Sequence, residues 1–325
     1  MLRKVLISLW ICCVALSVVV PTAAQVYPDK AVKIIVPNTP GGGNDVLGRL
    51  IATKLAERWK QPVVVENKAG AAGNIGALFV SKAANDGYTL MVASDGPMAI
   101  NAGLYKKLPF HPIKDFTALA SLASFEFVLV VNKDSSVKTF DDYKRLSQEK
   151  LSAQQQFAMG AVAGSTSHLA GALIEKALKA QWTTIGYKGA PEAAFDVMGG
   201  RLDGLVVTIA SIAPQVNSGM IRGVVTTGEK RSRLLPSVPT LTEAGLPLSI
   251  SSWFGLFGPA NMPLALVRQI NEDIASILRD PDTQMRMVNV GLDALETSLP
   301  TFQATLQSSF DTWGAIVREI GVTMD

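Results

Sequence analysis

The stretch Val32-Lys33-Ile34-Ile35-Val36-Pro37-Asn38-Thr39-Pro40-Gly41-Gly42-Gly43-Asn44-Asp45 carries the fold class. A β-branched apolar run breaks into prolines and glycines, and the next apolar residues, Val46, Leu47, Leu50, Ile51 and Leu55, recur at helical spacing. The pattern reads as strand, tight loop and helix, with Asn44 or Asp45 expected as the helix N-cap. It then repeats. Val63-Val64-Val65 is a second strand, residues 68–73 form a second loop, and Asn74 is the expected cap of a helix running to residue 83. The turn Asn85-Asp86-Gly87 leads into a third strand over residues 88–93. Strands that alternate with helices in this way build a parallel sheet covered by helices on its faces.

The same grammar returns later in the chain: strand 157–159, loop 164–167, helix 168–179, strand 183–187, loop 188–190, a helix from Pro191, and strand 204–208. Two similar α/β lobes are the simplest inference. The apolar runs 125–131 and 251–257 are long enough to cross between lobes, and two crossings return the C-terminal part to the first lobe. That part carries a helix over 263–278, a helical turn after Pro281 and a long helix over 301–320. The expected division places residues 25–125 and 250–325 in lobe one and 126–249 in lobe two.

Composition agrees with a folded chain. With 325 residues, 48% hydrophobic and 18% charged, it holds ample material for a core, which excludes a disordered segment or a small stapled scaffold. Arg3 and Lys4 precede an apolar run over residues 5–20 and then Pro21-Thr22-Ala23-Ala24, the layout of an export leader cleaved near Ala24. The run falls short of the ~20 residues that span a bilayer. Cys12 and Cys13 both lie within it, so the mature chain has no cysteine, no thiolate nucleophile and no cysteine-based metal site. Loss of Arg3 and Lys4 lowers the net charge from +3 to +1, leaving no basic footprint for nucleic acid.

Gly41-Gly42-Gly43 sits between a strand and a helix, where backbone N–H groups and the helix dipole favour an anion. It is no dinucleotide fingerprint, since a G-x-G-x-x-G frame from Gly41 puts Val46 at the third glycine, and no G-x-x-x-x-G-K-[ST] occurs. The loops at 41–44, 70–74, 164–167 and 189–190 all fall at carboxyl ends of strands, where open α/β sheets bind ligands. They offer glycines, hydroxyls and an amide, with cations only at Lys68 and Lys188, a surface suited to a small carboxylate. A Cβ at Gly42 is expected both to block that ligand and to restrict a positive φ. An alternative chemistry also fits. Val92-Ala93-Ser94-Asp95-Gly96 is similar to a nucleophile elbow with Val92 in place of the first glycine, so a serine hydrolase could use Ser94 or Ser165 with His168. His111 and His168 are the only histidines, and no metal-ligand spacing or cofactor motif accompanies them.

Several segments together resemble the Bug-type substrate-binding proteins of tripartite tricarboxylate transporters. These are Tyr27-Pro28-Asp29-Lys30, Pro40-Gly41-Gly42 with Asp45 and Arg49, the run from Val65 to Gly76, Asp86-Gly87-Tyr88-Thr89-Leu90, Gly164 through Leu169, Tyr187-Lys188-Gly189 and Gly199-Gly200. The resemblance implies a two-lobed fold like the type II periplasmic binding proteins, each lobe a mainly parallel sheet flanked by helices, with the ligand cleft between lobes. It further implies an exported periplasmic monomer that is no enzyme, needs no cofactor or metal, and hands a small organic acid to membrane permease subunits. Carried onto this chain, the ligand residues are Gly41, Gly42 and Asn44 in the first loop and Ser94 and Asp95 in the third. Lobe two would supply Ser165, Thr166, Ser167, His168, Tyr187, Lys188 and Thr208. Two departures stand out: Val207-Thr208 where the family often has an acidic residue, and Gly43-Asn44 where it favours Ser-Thr. Loss of the acidic group argues against a ligand with an exposed ammonium. The ligand stays open among mono-, di- and tricarboxylates, aromatic acids and amino acids, as does a role as a sensor's binder.

Overall fold

The computed structural model describes residues 27–162, 165–187, 189–321 and 323–324. The expected leader over residues 1–24 lies outside them, as do Gly164 and Lys188. The first unit runs β1 (Val32–Val36), α1 (Gly43–Trp59), β2 (Val63–Asn67), α2 (Asn74–Ser81) and β3 (Thr89–Ser94), with β1 parallel to both β2 and β3. Ile34, Ile35 and Val36 are all buried, because helices cover both faces of this part of the sheet, and α1 packs Leu47, Ile51 and Leu55 beneath it.

The expected caps shift by a residue or two. Gly42 is the N-cap of α1, and Asn44 and Asp45 stand in its first turn; Gly73, with φ 93°, leads α2 in place of Asn74. At Gly73 the positive φ favours glycine over a capping side chain, whereas Gly42 has the extended backbone of an ordinary cap and carries no side chain to accept a helix N–H. Helix α2 also stops at Ser81, short of residue 83.

Beyond a short α3 (Asn101–Leu104) comes β4 (Phe116–Asn132), then α4 (Phe140–Ser152), β5 (Ala158–Val162), α5 (Thr166–Ala177), β6 (Thr183–Tyr187), α6 (Ala190–Met198), β7 (Gly204–Thr208), α7 (Ile209–Asn217) and β8 (Ile221–Thr226). The chain closes with β9 (Ser251–Pro259), α8 (Leu264–Arg279), α9 (Pro281–Asn289), β10 (Asp293–Ala294) and α10 (Leu299–Ile320). Among the described residues the strands form one mixed sheet in the order β2-β1-β3-β9-β4-β7-β5-β6, with β8 and β10 also on β4. Each half keeps a parallel trio, β2-β1-β3 and β6-β5-β7, and antiparallel pairs join the trios through β9 and β4.

The joint between the halves lies within β4. Glu126 is still opposite Ser251 of β9, whereas Phe127 is opposite Thr208 of β7. Strand β9 does not cross, contrary to the expectation for 251–257: its whole length is taken up by pairs with β3 and with the first part of β4, so the return crossing precedes Ser251. Fully buried Thr227 pins both crossings, accepting the Phe127 N–H at 3.0 Å and donating to the Ile250 carbonyl at 2.6 Å through one hydroxyl.

Candidate functional site

The first loop is held from behind by a carboxylate. Asp45 Oδ2 accepts the Gly41 N–H at 3.0 Å and Arg49 Nε at 3.0 Å, while its Oδ1 accepts Asn67 Nδ2 at 2.9 Å. Burial pulls this carboxyl upward, but hydrogen bonds from Arg49, Gly41 and Asn67 outweigh it and hold the group below its ordinary value. Asn44 spends its amide on Asn38 Oδ1 at 2.7 Å. With these ties made behind the loop, the N–H groups of Gly42, Gly43 and Asn44 find no acceptor among the described residues. The positive φ expected at Gly42 belongs to Gly41, at 86°; Gly42 is extended at φ −76°, and a Cβ there would touch only the Thr39 carbonyl, at 3.7 Å.

The second unit presents a different helix start. Ser165 caps α5, its Oγ accepting the His168 N–H at 3.2 Å and lying 2.9 Å from Ser167 Oγ. Thr166 Oγ1 reaches out of its own half to Asp95 Oδ1 at 3.2 Å. A third helix start, which the sequence pattern does not announce, belongs to α7: Thr208 is its N-cap, and Thr208 Oγ1 donates to Ser211 Oγ at 2.9 Å.

These three helix starts share a cavity of about 560 Å³. Of the residues expected from sequence, Gly41, Gly42, Asn44, Ser94, Ser165, Thr166, Ser167 and Thr208 line it. Asp95 does not; it is fully buried behind them, with Oδ1 also accepting Ser252 Oγ at 2.7 Å and Oδ2 without a partner among the described residues. Burial pushes its carboxyl up to about 7, against the pull of hydrogen bonds from Ser252 and Thr166. Tyr187 is likewise outside the lining, because its hydroxyl is committed to Asp196 Oδ2 at 2.6 Å, a bond that pushes its phenol up to about 12. His168 lines a separate recess of about 10 Å³ with Met159 and Trp182, where burial lowers its pKa. Among the described residues no imidazole lines the cavity with Ser94 and Ser165.

Sequence reasoning missed most of the apolar wall. Phe125, Phe127 and Phe254 line the cavity together with Val46, Val290 and Leu292. Asn38, Gly43, Ala210, Ser211 and Asn289 complete the contacts. Alternation along β4 sends Phe125 and Phe127 to this cavity and Ser124 and Glu126 to a second recess, about 590 Å³, lined by charges of both signs from Glu229, Arg231, Arg233 and Asp293. Among the described residues no group of three metal-ligating side chains occurs, and no helix is long and apolar enough to cross a membrane.

Residues 47–322 match the family model described as the tripartite tricarboxylate transporter family receptor. Protein BugT of Bordetella pertussis is 29% identical over 311 residues, covering 95% of this chain and 94% of BugT. Two solved structures from Rhodopseudomonas palustris superpose closely. Rpa4515 with adipate has a TM-score of 0.82 at 29% identity, covering 91% of this chain and 99% of that one. MatC with bound malate has a TM-score of 0.77 at 28% identity, covering 90% and 100%. A family match over most of the chain, a Bug relative of similar length and the shared α/β architecture agree with one another, and the chain belongs to the tripartite tricarboxylate transporter receptor family.

Proposed function

We propose that this protein is a periplasmic solute-binding protein that captures a small organic carboxylate and delivers it to a tripartite tricarboxylate-type permease, without catalysing a reaction. One observation carries the reading: helix starts from both halves of the sheet, with the N–H groups of Gly42, Gly43 and Asn44 unpaired among the described residues, open into one cavity whose described lining holds no charged side chain. Oriented amides and hydroxyls at helix N-termini hold a carboxylate without a counter-cation. The adipate and malate in related proteins support the ligand class. Export by cleavage near Ala24 and closure of two lobes about the 126/127 and 250/251 crossings belong to the same proposal.

A thermal-shift panel tests it. At least one mono-, di- or tricarboxylate should raise the melting temperature, as selective binding to the native state requires. Small-angle scattering with that ligand at saturation should show a smaller radius of gyration. Stabilisation by neutral sugars or amines alone would sink the anion reading, and an unchanged scattering profile despite demonstrated binding would sink the closure.

A further inference from the structure

We infer that the acid bound here has an apolar, aromatic body and no cationic group, with its carboxylate on the first loop and its ring along Phe125 and Phe254; this rests on the carboxylate reading above. The wall begins at the loop itself. A Cβ built on Gly43 would meet Phe254 Cζ at 3.3 Å, so the Phe254 ring edge abuts the backbone that would hold the carboxylate. Phe125 stacks on Phe254 with centroids 4.5 Å apart and planes 22° from parallel, and Phe127 meets Phe125 edge-on at 5.7 Å. Phe127 in turn pairs in register with Thr208. The three rings thus connect the first loop to the start of α7, with Phe125 partly exposed and Phe254 and Phe127 only 4% and 1% exposed, and Val290 and Leu292 line the same cavity.

In this proposal a carbon body that leaves the Gly42–Asn44 amides lies against this wall, while the Ser165, Thr166 and Thr208 hydroxyls line another part of the same cavity. A flat ring gains both apolar burial and offset or edge contact with phenylalanines, whereas a short hydroxylated chain would strand its polar groups there. An ammonium fares worst, because no described lining side chain is anionic; Asp95 lies behind the lining with Oδ1 committed to Ser252 and Thr166. The volume of about 560 Å³ accommodates a ring with a short arm.

Calorimetry on the mature wild-type protein decides this with two matched pairs. Benzoate should bind about tenfold or more tightly than hexanoate, which carries the same single carboxylate without a ring, and 3-phenylpropanoate about tenfold or more tightly than phenylalanine, which isolates the ammonium. Phe125→Leu, at a half-buried position, should erase most of the benzoate advantage over hexanoate. Hexanoate as tight as benzoate, or phenylalanine as tight as 3-phenylpropanoate, would overturn the inference and leave the carboxylate reading standing. Absence of binding by every acid would overturn both. Should Phe125→Leu fail to fold, the two wild-type pairs still separate these outcomes.

Discussion

The loops that open α1 and α5 do one job by opposite means. At α1 no side chain caps the helix; Gly42 sits at the cap, and the loop is shaped from outside by Asp45, which holds Gly41, Arg49 and Asn67. At α5 the loop caps itself through Ser165, and its Thr166 reaches across to Asp95 beyond β3. The first arrangement leaves bare amides open to a ligand; the second offers hydroxyls and ties the halves together. A carboxylate at the first loop would meet fixed backbone dipoles, and at the second it would meet side chains that can rotate to suit it.

The largest expected effect lies where the second loop leans on the first half, at Asp95. Its carboxyl is raised from the ordinary 3.8 to about 7, chiefly by burial. Below pH 4 both folded and unfolded chains hold the proton and the group contributes nothing. Between about 4 and 7 the unfolded chain ionises while the folded one does not, so stability falls as pH rises, with the full cost present above 7; that cost is on the order of 4 kcal/mol. Asp95→Asn keeps an acceptor for Ser252 and Thr166 but cannot ionise. Its unfolding free energy should exceed that of wild type at pH 8 and converge with it at pH 4. Parallel profiles for the two proteins would show that Asp95 is not held neutral by the fold.

How much of this is legible in the sequence divides along the same line. The glycine loop and the loop over residues 164–167 are legible because turn chemistry is local, written within a few consecutive residues, although α5 begins inside the second of these, at Thr166, before the expected start at His168. Helix α4 carries an equally local signal, the capping box of Thr139 and Asp142, although it stands outside the strand-loop-helix repeat. Helix α7 hides behind Pro214, a residue that usually ends a helix and here sits inside one. Phe125, Phe127 and Phe254 read as ordinary strand core. Only the register of β4 against β9 and β7 turns them into cavity wall. Val290 and Leu292 arrive from the far end of the chain because β10 pairs with Ser124 and Ala123, a contact no local pattern records.

The bare-amide loop should be the more fragile half of the comparison for binding. Gly42→Val places a branched side chain where the backbone would meet the ligand, and the backbone itself can accept it at φ −76°. Affinity for the best carboxylate should fall about ten- to hundredfold, ~1–3 kcal/mol, with the ligand-free melting temperature near wild type. Gly41→Val should instead cost folding stability, since Gly41 holds φ 86°. Equal affinity for Gly42→Val and wild type would move the anion away from this loop and toward residues 165–167.

The smallest effect is expected at the self-capped helix, and two substitutions at one position separate its roles. Ser165→Ala removes the acceptor for the His168 N–H and the hydroxyl shared with Ser167, so unfolding should cost about 1 kcal/mol less than in wild type. Ser165→Gly removes the same oxygen but lets water and backbone solvate the freed helix end, and should lose only a few tenths of a kcal/mol, ~0.3. If the hydroxyl serves only as a cap, ligand affinity should be equal in the two variants and close to wild type. If it also touches the carboxylate, both should lose about three- to tenfold in affinity despite their different stabilities, a loss of ~1 kcal/mol. We expect the second outcome, because Ser165 lines the cavity, and denaturant unfolding paired with calorimetry on the same samples reads both quantities. Affinities close to wild type in both variants would assign Ser165 to the helix alone and leave Thr166 and Ser167 as the hydroxyls that face the ligand.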